Sequence, residues 1–188
     1  MGRAGPFKDD RNMRVVVVSH CILNPNTKAM GLATEERMEA SRRLVELLVS
    51  MRVGIVQMPC PEFTYLGPFR PKRTKSHYDS AGFRRHCRSI ASQVLDMVEE
   101  FRRAGVETLC LIGVEGSPTC GVSWTSVGFG RGRQVREMGI LFEELEREAS
   151  ERGVELRLLG LPEKPKYGDL EEFLKRVESL LRAPEPAP

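Results

Sequence analysis

Apolar residues along this chain follow two rhythms that alternate. Short aliphatic runs are separated by longer stretches whose apolar positions recur every three or four residues. Val15-Val16-Val17-Val18 is a run of the first kind, the mark of a strand buried on both faces. Similar runs follow at Arg52 to Met58, Val106 to Ile112 and Val154 to Leu159. Between them the period is helical. Thr34, with Glu35 and Glu36 behind it, suits a helix start, and Met38, Leu44, Val45, Leu47 and Leu48 continue it. From about Asp79 to Ala104, Phe83, Cys87, Ile90, Val94 and Phe101 describe one face of a long helix that Gly105 ends. Met138, Leu141, Phe142, Leu145 and Ala149 mark another, stopped by Gly153. After Tyr167-Gly168-Asp169 comes a last amphipathic helix with Leu170, Phe173, Leu174, Val177, Leu180 and Leu181.

Strand and helix in strict alternation predict an α/β three-layer sandwich. Its sheet is mainly parallel, of four strands or slightly more, with helices on both faces, Rossmann- or flavodoxin-like. The pattern predicts a flexible arm over residues 1–12, one α/β domain over 13–182 and a disordered proline-rich tail over 183–188. The chain's 188 residues suit one full core. Its net charge of +3 does not point to nucleic acid as a partner. No apolar run approaches the roughly 20 residues of a membrane span. The polar, charged start lacks a signal-peptide core, so the expected location is the cytoplasm. There the five cysteines are expected to be reduced, as metal ligands, nucleophiles or core filler.

Three cysteines share one kind of position. Cys21 lies three residues past Val18, Cys60 two past Met58, and Cys120 in the loop that leaves the third strand. In a parallel sheet all three fall on the carboxyl rim, where ligands bind, and neighbouring strands are only about 4.8 Å apart. Proline and glycine stiffen the loops at Pro59-Cys60-Pro61-Glu62 and Gly113-Val114-Glu115-Gly116-Ser117-Pro118-Thr119-Cys120-Gly121. Three thiolates leave an open position, either on a zinc ion or on one iron of a 4Fe–4S cluster. Cys87, on a helix face, and Cys110, inside a strand, read as core.

Ser19-His20-Cys21-Ile22-Leu23-Asn24-Pro25-Asn26, the Cys60-Pro61-Glu62 segment and the Ser117-Pro118-Thr119-Cys120-Gly121 segment, in this order and spacing, resemble the TudS-type thiouracil desulfidase family, over roughly residues 13–160. The likeness is closest to its TudS-related branch. The resemblance implies a 4Fe–4S cluster on Cys21, Cys60 and Cys120. It implies that the open iron takes the sulfur of a small thiocarbonyl compound, a thio-nucleobase or nucleotide, leaving a carbonyl. It points to Ser117 as an acid/base or substrate-positioning group, with Glu62 and Glu115 as candidate proton handlers, because water must lose a proton as sulfur leaves. This chain departs from the desulfidases at the first motif. It carries His20 where they have a small residue, and Asn24, Asn26 and Lys28 where they follow the cysteine with glycine, arginine, tyrosine and aspartate. Two other readings stay open: a non-catalytic iron–sulfur or sulfide carrier, and a three-cysteine zinc hydrolase.

Several residues admit a functional and a plain reading together. His20 is a proton donor or a loop histidine bonded to backbone. Asn24 and Asn26 read an amide-like ring edge or form turns. Trp124 stacks on a substrate ring or covers the site. The basic stretch with Arg70, Lys72, Arg73, Lys75, His77, Arg84, Arg85, His86 and Arg88 contacts phosphate or is a solvated face. Gly128-Phe129-Gly130-Arg131-Gly132-Arg133, placed before a helix, is a candidate anion loop, although it does not follow a strand directly.

Overall fold

In the computed structural model, which describes residues 10–182, chain order begins with β1 (Arg14–Ser19), α1 (His20–Leu23), α2 (Glu35–Ser50) and β2 (Gly54–Met58). Then come α3 (Pro61–Leu66), α4 (Lys75–Tyr78), α5 (Ala81–Arg103) and β3 (Glu107–Val114). The chain closes with β4 (Thr125–Val127), β5 (Arg133–Val135), α6 (Ile140–Arg152), β6 (Leu158–Leu161) and α7 (Leu170–Arg182). β1, β2, β3 and β6 form a wholly parallel sheet in the order β2-β1-β3-β6. The fold is thus the expected three-layer α/β sandwich, with flavodoxin-like strand order. Its topological switch lies between β1 and β3, because the chain leaves β1 to one side and returns on the other.

Side chains alternate across the sheet and assign the helices to its faces. Val16, Val18, Cys110 and Ile112 bury against Leu44 and Leu48 of α2 and Leu174, Val177 and Leu181 of α7. Val17 and Leu111 bury on the opposite face against Phe83, Cys87, Ile90 and Val94 of α5 and Leu141, Phe142 and Leu145 of α6. Cys87 and Cys110 are core residues, as their positions predict. Glu144 ties α6 to α5: its buried carboxylate accepts from Arg84 (3.4 Å), Arg88 (3.1 Å) and Arg147 (2.8 Å). Burial pushes that carboxyl up, but the bonds from Arg147 and Arg88 prevail and hold it below its ordinary value. A depressed folded value means stability that is present above the unfolded pKa and lost as pH falls through the folded one. Glu144→Gln is expected to lose about 1–3 kcal/mol at pH 7 in urea unfolding. The loss should shrink toward zero in the acid range where the parent's Glu144 is itself protonated.

Elsewhere the structure departs from the expected elements. The fourth strand starts at Leu158, not Val154. Gly153 caps α6 in the left-handed conformation, and residues 154–157 carry the chain from the helix layer to the sheet. Four extended residues span about 13 Å, which is what that crossing needs. The segment after Cys60 is a helix, α3, rather than loop, because Pro61 suits its first position and Cys60 Sγ accepts the Phe63 N–H at 3.4 Å. The candidate anion loop at 128–133 is the tip of the antiparallel β4–β5 hairpin. Of the expected arm, Asn12 is tied down: its side chain donates to the Arg52 carbonyl and accepts from the Arg14 N–H (3.1 Å). Residues 1–9 and the tail over 183–188 lie outside the described residues.

Candidate functional site

The sheet's carboxyl rim opens into a cavity of about 710 Å³. Cys21, Cys60 and Cys120 all line it, and none is in a disulfide. Each is placed by a strand end. α1 begins directly after β1 and carries Cys21. Cys60 caps α3 two residues past β2. Cys120 sits on the loop after β3, which folds back so that its carbonyl accepts the Val114 N–H at 2.8 Å. Gly113 allows that return: a Cβ there would stand 2.2 Å from the Cys120 carbonyl oxygen. Gly113→Ala is therefore expected to lower the free energy of unfolding by about 1–3 kcal/mol, measured by denaturant titration.

Lys28 shares the cavity wall with Cys21, where its positive charge favours the thiolate, and it is held by Glu163 at 2.5 Å. Cys60 Sγ accepts from the Phe63 N–H, and the Arg70 guanidinium lies 3.8 Å away. Cys120 Sγ lies 3.5 Å from the Thr119 hydroxyl oxygen, whose proton goes to Glu62. Burial nevertheless pushes all three thiols up, Cys60 to about 12, with nearby carboxylates and the other cysteines adding to it. Thiols pushed up in this way hold their protons, and a metal bound at these sulfurs would have to displace them.

The carboxylates divide. Glu62 Oε1 accepts from the Thr119 hydroxyl at 2.8 Å, and Oε2 accepts from Tyr78 Oη (3.0 Å) and Arg70 Nε (3.2 Å). Arg70 also donates to the Thr27 carbonyl at 2.7 Å, which locks the group. Ser117 Oγ accepts the N–H groups of Cys120 (3.0 Å) and Thr119 (3.3 Å), and its own proton points to the Thr119 hydroxyl oxygen at 3.4 Å. Glu115 also lines the cavity, but its oxygens accept the N–H groups of Ser123 (3.1 Å) and Trp124 (2.8 Å). Burial pushes its carboxyl up against those bonds. Gly160 makes room for it, since a Cβ there would lie 1.8 Å from Glu115 Oε1.

The structure does not bring His20, Asn24, Asn26 or Trp124 to the cavity wall. His20 stacks on Phe63, and burial lowers its pKa. Asn24 accepts from the backbone and side chain of Asn26 to cap the short turn at Pro25–Thr27. Trp124 is covered by Arg136, 5.1 Å from the ring centre. Sequence reasoning passed over Lys28 as a binding group, and over Arg37 and Glu163, which line the cavity with it. Glu163 lies two residues past β6, the same rim position that singled out the cysteines, so that rule would have found it.

The cavity wall holds eight lysines and arginines against three glutamates. Near its mouth Lys72, Arg73, Arg131 and Lys166 show no ion pair among the described residues, while Arg70, Lys28 and Arg37 are paired inside. Among the described residues no three His, Cys, Asp or Glu side chains close around a point as ligands of one ion. Zinc held by sulfur at about 2.3 Å requires sulfurs within roughly 4 Å of one another. A cluster takes one cysteine per iron and spreads its ligands further apart.

A doubly wound α/β sheet with a basic, cysteine-walled cavity at its switch point is the class that fold and site define. Residues 13–160 match the family model described as "Putative 2-thiouracil desulfurase", and the chain belongs to that family. It is 31% identical over 172 residues to MJ0003, an uncharacterised protein of Methanocaldococcus jannaschii, covering 92% of this chain and 99% of that protein. Among solved structures it is similar to TudS, a [4Fe-4S]-dependent thiouracil desulfidase. The TM-score is 0.51 and the identity 16%, over 82% of this chain and 95% of that one. At that identity the likeness is one of fold. No helix among the described residues is long and apolar enough to cross a membrane.

Proposed function

We propose that this protein is a desulfidase that holds a 4Fe–4S cluster on Cys21, Cys60 and Cys120 and converts a small thiocarbonyl compound, of thio-nucleobase type, to its carbonyl. The observation that carries the reading is the set of three undisulfided cysteines at successive strand ends, lining one cavity, with the Phe63 N–H and the Arg70 guanidinium at the Cys60 sulfur. Family membership points the same way. The zinc alternative asks for a convergence that these side chains lack. When bound, the cluster supplies a thiophilic iron with an open position.

The remaining chemistry falls to the chain. Water supplies oxygen to the thiocarbonyl carbon and its two hydrogens leave with the sulfur, so the conversion is a hydrolysis with no net electron transfer. Glu62 Oε1, oriented by Thr119, takes the proton of the attacking water. Ser117 Oγ, its lone pairs occupied by two backbone N–H groups, donates its proton toward the substrate heteroatom. Glu115 works at one remove, holding the 123–124 turn behind the third cysteine. The basic mouth favours an anionic or electron-rich substrate.

The test is iron, acid-labile sulfide and zinc content, with a visible spectrum, on protein purified without oxygen. About four irons and four sulfides per chain are expected. Turnover of thiolated bases by that preparation would separate the desulfidase from a carrier. Zinc in place of iron, or no metal after anaerobic reconstitution, would overturn the reading.

A further inference from the structure

Lys28 stands in the motif that sets this chain apart from the desulfidases it resembles. Its side chain is 5% exposed, and so is buried on the cavity wall together with its partner Glu163 at 4%. Taking an ion pair out of water can cost more than its attraction returns, and apolar residues of similar volume often serve stability as well or better. Stability alone therefore does not explain it. Glu163 is oriented from a separate element: Ser41 of α2 approaches Oε1 at 3.4 Å, and Arg37 of α2 approaches Oε2 at 3.9 Å. The result is a buried ammonium fixed on the cavity wall that Cys21 also lines. The arrangement has a counterpart across the cavity, where Glu62 holds Arg70 and Arg70 lies 3.8 Å from Cys60 Sγ. Cys60 is thus backed by a buried cation that a buried glutamate holds, and Cys21 shares its cavity wall with a second pair of that kind.

We propose that Lys28 is a positioning residue for the cluster site, held by Glu163 so that its charge and one N–H face the Cys21 thiolate and offset the negative charge of the cluster. This rests on the cluster reading above. Hydrogen bonds and net charge at the sulfurs set the reduction potential of iron–sulfur centres, so potential is a direct reporter even for a hydrolytic enzyme.

The experiment compares parent, Lys28→Met, Lys28→Arg and Glu163→Gln, reconstituted without oxygen, by iron and sulfide content and by a potential titration followed by electron paramagnetic resonance. Lys28→Met and Glu163→Gln are both expected to shift the midpoint to more negative values, the second because the released ammonium turns away from Cys21, and Lys28→Arg is expected to restore the parent value. If Glu163 does not position the ammonium, removing its negative charge shifts the midpoint of Glu163→Gln to more positive values, and that result would overturn the proposal. So would loss of iron in Lys28→Met that Lys28→Arg does not restore. Crystal structures of the metal-free parent and Glu163→Gln test the positioning separately. The ammonium should leave Cys21 in the variant; finding it unmoved would overturn the role of Glu163 whether or not a cluster binds. If the parent takes up no iron, it is the functional reading that fails.

Discussion

Serine at position 21, 60 or 120 is expected to abolish iron binding, while serine at 87 or 110 leaves it intact. The first three side chains line the rim cavity, and the other two lie in the core on opposite faces of the sheet. A hydroxyl is a poor ligand for iron next to thiolate, and a site with only two cysteines left loses a third of its protein ligands at once. Iron per chain after anaerobic reconstitution should fall from about four to near zero in each rim variant. Cys87→Ser and Cys110→Ser should keep full iron while losing stability, because each buries a hydroxyl in an apolar core. A rim variant with full iron would remove that cysteine from the ligand set. Retained iron in all three would remove the cluster reading altogether.

Glu62→Gln is expected to lower turnover of a thiolated base by about 10²- to 10⁴-fold with the cluster still bound, the range for removing a general acid or base. The side chain sits at the meeting point of Thr119, Tyr78 and Arg70, all of which donate to it. Glutamine keeps the shape and can still accept on one side, but it cannot take a proton from water. Its amide also faces Arg70, which then loses its carboxylate partner, so some stability is lost as well. Turnover, iron content and melting temperature measured together separate these effects. Turnover near the parent's with normal iron would move the proton-handling role away from Glu62. Ser117→Ala is the companion variant, with a loss in the same range expected from the missing hydroxyl proton.

The convergence of Cys21, Cys60 and Cys120 on one cavity was legible because they obey a rule of position. Each follows an aliphatic run, and in parallel sheets the residues after such runs share one rim. Glu62 and Ser117 were legible because they are close in sequence to those cysteines. The resemblance singled out the same motifs. Lys28 and Glu163 were harder. They are 135 residues apart, and only the pairing of β6 beside β3 brings them to one wall. Arg70 was hidden among neighbouring basic residues, and nothing local distinguishes it from exposed Lys72 and Arg73. His20, Asn24, Asn26 and Trp124 looked like binding residues because of their neighbours in sequence, yet their side chains pack on Phe63, on each other and under Arg136. Nearness along a loop does not determine which way a side chain points.

By itself the sequence determined the order and type of the main elements, the layer architecture and the rim on which chemistry would lie. Those follow from hydrophobic period and from the handedness of β-α-β connections, which act over short stretches of chain. Only the tertiary structure decided which charges are buried and with what partner. Burial of an ion depends on every element packed around it, and the cost of an unpaired one is large enough that partners must come from wherever the fold supplies them. Glu163 for Lys28, Arg70 for Glu62 and three arginines for Glu144 are choices of that kind.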